Sequence, residues 1–280
     1  MRIGTIKPFL QLITLWIIGI CFLLFFVDLA QSFTMGKSPG EAPITTGITP
    51  LQRSLLFDYP DNLSALDDMA KEYDIHSMEE LKKTPKEIQK RFYKMSARPV
   101  WAGVVNQALF HLPNAALFEK IREGQVWRLF TPSLLHKDML HILFNMSWLW
   151  LLGVQIEKRL KKGKMLLLIL LLGIFSNVAQ YLTGGPYFMG FSGVITGLAG
   201  FIWSRQRVAP EEGYPLAKAT LQLIFYFVIA MVLLGWMFLT LQALGITRFS
   251  LPIANTAHVV GGVSGVILGR INFFKVRVVA

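Results

Sequence analysis

Residues 185–200 read GPYFMGFSGVITGLAG, and the fold turns on them. A loop rich in Gly, Pro and aromatics runs into an apolar helix over about 191–204, with Ser192 at its mouth. About 14 helical residues cover only ~21 Å, short of the ~30 Å hydrocarbon core of a bilayer. The outer end of this helix therefore stops below the membrane surface, and the loop ahead of it dips inward. Irregular backbone at that depth is tolerated only where it is buried in protein or lines a wet cavity. The segment thus calls for a bundle of surrounding helices and a water-filled pocket with Ser192 at its floor.

The surrounding composition agrees. The chain has 280 residues, of which 53% are hydrophobic and only 16% charged, with a mean hydropathy of +0.48. A soluble domain carries nearer a quarter charged residues. Six apolar spans can be drawn, at about 9–29, 138–156, 165–183, 191–204, 219–244 and 253–272. The expected fold is an all-α polytopic membrane protein of six transmembrane helices. The first span is preceded by Arg2 and Lys7, as a signal peptide would be, but Asp28-Leu29-Ala30 is a poor cleavage site, so it reads as an uncleaved helix. The single cysteine, Cys21, excludes an intrachain disulfide.

Charge sets the orientation. Lys158, Arg159, Lys161, Lys162 and Lys164 fall between spans two and three, and Arg205, Arg207 and Lys218 between four and five. Lys275 and Arg277 follow span six. With Arg2 and Lys7, all lie on one side of a six-span chain, which is then cytoplasmic, with both termini inside. The net charge of +11 reads as topology and contact with anionic lipid, not as nucleic-acid binding. The polar stretch 30–126 becomes a long outer insertion between the first helix (1–29) and a five-helix core (127–280). It begins with a Pro/Gly-rich linker at 36–50. Residues 51–100 carry nine Lys/Arg and nine Asp/Glu and read as short amphipathic helices. Ser64 with Asp67 and Ser77 with Glu80 have capping-box spacing. This small helical module is either a docking surface or simple solvated packing.

In this topology spans two, four and six run from outside to inside. His141 and Asn145 lie in the first turns of span two, Ser192 starts span four and His258 lies one turn into span six, so all four share a depth. A serine hydroxyl becomes a nucleophile when a neutral imidazole takes its proton. Ser192 also sits at a helix N-terminus, where free N–H groups favour a developing oxyanion. His141 and Asn145, four apart on one face, can add side-chain donors. After Asp138 the only acidic residues are Glu157, Glu211 and Glu212, all on the cytoplasmic side, so a Ser–His dyad is expected rather than a triad. Asp138 itself caps span two and stays solvated.

Each feature alone has a plainer explanation. Gly193, Gly197, Gly261 and Gly265 allow close helix packing; a buried histidine can be hydrogen-bonded structure; His141 and Asn145 can be interhelical glue; His136 has no assigned role. The combination at one depth favours chemistry. A solute channel would instead carry polar groups through both leaflets or show inverted repeats.

Taken together the motifs resemble the rhomboid family of intramembrane serine proteases. The stretch HKDMLHILFNMSWLWLLGVQIEKRL is similar to that family's second helix. GFSG, from Gly190 to Gly193, resembles its nucleophile motif, and AHVVGGVSG, with His258, Gly261 and Gly265, its histidine motif. Trp127-Arg128 resembles the Trp-Arg pair of its first outer loop, which is structural. The resemblance covers about 120–272 and is to bacterial members. It implies hydrolysis of transmembrane protein substrates, with Ser192 as nucleophile, His258 as base and His141 and Asn145 stabilising the oxyanion. Substrates would enter laterally near span five, and no metal or cofactor is implied. A relative without catalysis, which binds membrane proteins, is the alternative. Two departures stand out: Thr196 occupies a position where the family often has a tyrosine packed on the histidine, and the first outer loop is far longer than in compact members.

Overall fold

The computed structural model describes residues 12–34, 47–75, 77–113, 115–247 and 253–276. Arg2, Lys7, Arg277 and most of the 36–50 linker lie outside them. Among the described residues the regular structure is entirely helical. The elements are α1 (Ile13–Thr34), α2 (Pro50–Leu55), α3 (Asp61–Glu72), α4 (Met78–Lys83), α5 (Lys86–Ser96), α6 (Val104–Phe110), α7 (Glu119–Arg122), α8 (Met139–Glu157), α9 (Lys162–Gly184), α10 (Ser192–Val208), α11 (Lys218–Ala243) and α12 (Asn255–Leu268). Tight 3₁₀ turns over 126–129 and 131–134 lead into α8.

Four of these helices, α1, α8, α9 and α11, are long and apolar enough to cross a membrane. α10 has 17 residues and α12 has 14, so each is short of a full crossing. The boundaries differ from the apolar runs. α1 reaches Thr34 rather than 29, because Gln31, Ser32 and Thr34 continue the helix past the apolar stretch. α10 extends to Val208, since Arg205 finds a buried partner inside the protein. α12 is shorter than 253–272, ending ahead of a turn at 272–274.

α10 is the centre. Phe191, Val194, Leu198, Phe201 and Ile202 are buried in one core with Ile142 and Leu149 of α8 and Leu168 and Leu172 of α9. α11 stands at the edge: none of its residues is buried, and Phe225, Tyr226 and Leu233 are exposed. An apolar outer face of this extent suits lipid.

Glycine sets the spacing of α10 and α12. A Cβ at Gly261 would lie 2.1 Å from the Gly193 carbonyl oxygen, and one at Gly265 1.9 Å from that of Gly197. Only backbone fits there, so the two helices touch main chain to main chain.

The basic end of the bundle is tied by buried carboxylates. Glu157, fully buried at the end of α8, accepts from the backbone N–H of Ile13 and Thr14 and from the Thr14 hydroxyl, and so caps the exposed donors at the start of α1. Glu212 pairs with Arg205 through two hydrogen bonds, one of 2.8 Å, and Arg205 also reaches the Gly269 carbonyl at 2.9 Å.

The segment between α1 and α8 has a core of its own, in which Leu66, Met69, Ile75, Leu81 and Phe92 are buried together. Ser77 and Glu80 form a capping box at α4. Ser64 does not cap: it lies inside α3, which starts at Asp61 behind Pro60. A second box occurs instead at Thr49 and Gln52, at α2. The last carbonyls of α2, which a helix leaves unpaired, are taken by the core: Ser54 by Trp127 Nε1 at 3.3 Å, Leu55 by the Thr131 hydroxyl at 2.7 Å and Leu56 by Arg128 at 2.7 Å. Buried Asp58 accepts from the Glu119 and Lys120 amides and from the Tyr181 hydroxyl of α9 at 2.9 Å, and Phe57 stacks on the Tyr181 ring at 4.5 Å. This segment is thus fastened to the C-terminal end of α9.

Candidate active site

Ser192 is the first residue of α10, so its own N–H and those of Gly193 and Val194 belong to the unpaired first turn. His258 lies in the first turn of α12, and the glycine contact between these helices brings the two side chains together. His258 Nε2 and Ser192 Oγ are 2.8 Å apart. The other ring nitrogen, Nδ1, is buried and meets no hydrogen-bond partner among the described residues. No carboxylate orients it.

What orients His258 instead is the start of its helix. Gln180 Oε1 accepts from the Ala257 amide at 3.2 Å, and the Thr183 hydroxyl donates to that of Thr256 at 2.9 Å. These contacts from the last turns of α9 were not anticipated. Their signal was a run of polar residues, Ser176, Asn177, Gln180 and Thr183, in the last turns of an apolar span. Asn177 was missed likewise: it donates to the carbonyls of Leu129 and Phe130 and fastens the 126–134 turns to α9.

Asn145 is 1% exposed and directs one amide hydrogen at the His141 carbonyl, 3.0 Å away, leaving its second donor for the cavity. Asp138 caps α8 by accepting from the His141 amide at 2.9 Å and is exposed. Gly190 has φ +129°, and a Cβ there would lie 2.7 Å from the His141 ring and 3.8 Å from Asn145 Nδ2. The loop before Ser192 therefore passes directly over both residues, and its Gly190 amide is held by the Pro132 carbonyl at 3.1 Å. His136, just ahead of α8, is 2% exposed and packs edge-on against His141 with ring centroids 5.3 Å apart. Burial, reinforced by the His141 ring, pushes the His136 imidazole down to about 3, so it is neutral.

Asn145, Ser192 and His258 line one cavity of about 160 Å³, walled by Phe144 and Trp148 of α8 and by Leu223, Ile224 and Phe227 of α11. His141 sits above it, against Gly190. Thr196 also lines it, but its hydroxyl donates back to the Gly193 carbonyl at 2.9 Å, so no aromatic ring rests on His258 from that position. Trp127 and Arg128 lie outside the cavity and hold α2.

Asp61, Glu119 and Glu123 are the one acidic trio among the described residues close enough to share a cation. Lys120 already occupies it, pairing with Asp61 and, at 2.9 Å, with Glu123.

A family model, the Rhomboid domain, matches residues 123–274, more than half of the chain and all of this site. The chain belongs to the rhomboid family. Among curated proteins it is similar to the Rhomboid protease GlpG of Salmonella newport (strain SL254), Salmonella heidelberg (strain SL476) and Salmonella schwarzengrund (strain CVM19633). In each case it is 31% identical over 160 residues, which cover 57% of this chain and 53% of the relative. The match spans about half the length of these relatives. Family and apolar helices together make this rhomboid an integral membrane protein.

Proposed function

We propose that the chain is an intramembrane serine endopeptidase that cuts transmembrane protein substrates near the outer leaflet, with Ser192 as nucleophile and His258 as base. The observation that carries this reading is the 2.8 Å approach of His258 Nε2 to Ser192 Oγ at the start of α10. With the ring proton on Nδ1, Nε2 accepts the hydroxyl proton as Oγ bonds to the scissile carbonyl carbon. The carbonyl oxygen becomes an oxyanion facing the first-turn amides of α10, the free Asn145 donor and His141. The C–N bond then breaks, His258 returns the proton to the leaving amine, and water hydrolyses the acyl ester by the same base. The apolar wall between α8 and α11 supports entry of a substrate helix from the lipid side.

In this reading α10 and α12 complete a six-helix membrane bundle. The lysines and arginines beside Glu157 and Glu212 face the cytoplasm, and the 30–126 insertion lies outside. The bundle is that of a bacterial inner-membrane protein.

The test is labelling with a fluorophosphonate, combined with cleavage of a transmembrane reporter in proteoliposomes. Labelling and cleavage are expected in the wild type, and both vanish in Ser192→Ala. A protein that binds the reporter but neither labels nor cleaves would be the catalytically silent relative, and the endopeptidase reading would be wrong.

A further inference from the structure

The inserted module is neutral overall but sharply polarised. Residues 58–80 carry eight Asp/Glu and one lysine, whereas residues 81–98 carry seven Lys/Arg and one glutamate. None of those seven cations forms an ion pair with a described residue, and all are exposed. The helix α5 concentrates them. Lys86, Lys90 and Lys94 follow one another at four-residue steps and share a face, with Tyr93, 47% exposed, between them. The opposite face, with Ile88, Phe92 and Met95, packs into the module core.

We propose that this face of α5 is an interaction surface for an anionic membrane, docking on lipid phosphates beside the bundle. Three observations select that partner. First, reach: α5 ends at Ser96, five residues before Trp101, whose indole donates to the Tyr181 carbonyl at 2.8 Å near the end of α9. Five residues span at most about 18 Å, so the end of α5 is tethered within that distance of the end of α9 and can reach the headgroup layer there. Second, the composition is interfacial: an aromatic ring set among lysines matches both the headgroup and the boundary beneath it. Third, the acidic stretch of the same module is engaged elsewhere, Asp67 and Asp68 by Arg53 and Asp61 by Lys120, so the lysine face of α5 is left to meet an anion outside the module. The inference needs only that α9 spans the membrane; it does not depend on proteolysis.

The test is hydrogen exchange of the α5 amides in the full chain, reconstituted in nanodiscs of phosphatidylcholine alone or of equal parts phosphatidylcholine and phosphatidylglycerol. Docking adds stability to the helix by linkage, so exchange over 86–96 is expected to slow roughly tenfold on the anionic discs. The difference disappears at high salt and in the triple variant Lys86→Glu, Lys90→Glu, Lys94→Glu, while protection of α3, which shares the module core, reports that the variant is folded. Equal exchange on the two lipids would overturn the proposal. So would protection by added polyglutamate on neutral discs that matches the anionic-lipid effect, since the surface would then belong to an acidic protein.

Discussion

Replacing Gly261 by alanine should lower activity about 10²-fold by moving the histidine, not by touching it. A Cβ at Gly261 lands 2.1 Å from the Gly193 carbonyl oxygen, and ordinary contact begins at 3.4 Å, so α10 and α12 must part locally by about 1.3 Å. Gly193 follows Ser192 directly and Gly261 lies one turn beyond His258. The same displacement stretches the 2.8 Å serine–histidine contact to as much as about 4.1 Å, past hydrogen-bonding range. A misplacement of about 1 Å at a reacting pair costs on the order of 10²-fold in rate, and overpacking of this kind costs about 1–3 kcal/mol of stability. Gly262→Ala is the internal control. Its Cβ would meet only the Thr196 carbonyl oxygen at 3.9 Å, so the same change of residue at the next position should leave both quantities near wild type. The assay is the rate of fluorophosphonate labelling together with thermal unfolding in detergent. Wild-type labelling by Gly261→Ala, or equal losses in both variants, would refute the argument that the glycine contact sets the catalytic distance.

Asn145→Ala should lower turnover by about 10²-fold with little change in KM, if its free amide hydrogen faces the oxyanion; steady-state cleavage of a reporter at several concentrations separates the two. Tyr181→Phe leaves Asp58 and the Phe118 amide short of a shared partner and should destabilise the protein by about 1–3 kcal/mol, read as a lower Tm. The neutral His136 predicts a pH effect of definite sign. Its folded value near 3 lies below the free value of 6.5, so the unfolded chain binds the extra proton between them. Stability should therefore fall as pH drops through 6.5 towards 3, by up to about 1.4 kcal/mol per unit, and His136→Gln should remove that component of the Tm-versus-pH curve.

The membrane bundle was legible because bilayer thickness imposes a length on apolar runs, and α8, α9 and α11 carry that length in their composition. Helix ends were less legible. The start of α3 was misread at Ser64 because Pro60 fits the entry to a helix as well as a serine does, and α10 overran its apolar stretch because Glu212 neutralises Arg205 inside the protein. Ser192, His258, His141 and Asn145 could be singled out because a polar residue in an apolar helix is conspicuous. The residues that aim them could not. Gln180, Thr183 and Asn177 act through backbone groups of distant segments, and a hydrogen bond to a main-chain amide leaves no mark on the residue that owns the amide. The role of Phe57 and Asp58 was hidden for the same reason, since neither resembles a motif until Tyr181 is placed beside it.

The capping of α1 by Glu157 has a consequence for synthesis. The amides of Ile13 and Thr14 wait for a carboxylate 144 and 143 residues downstream. At about 5–20 residues per second a ribosome takes roughly 7 to 30 s to supply it. Throughout that interval the start of α1 must be held by the insertion machinery or by lipid headgroups, so it takes its permanent seat only once α8 has been made.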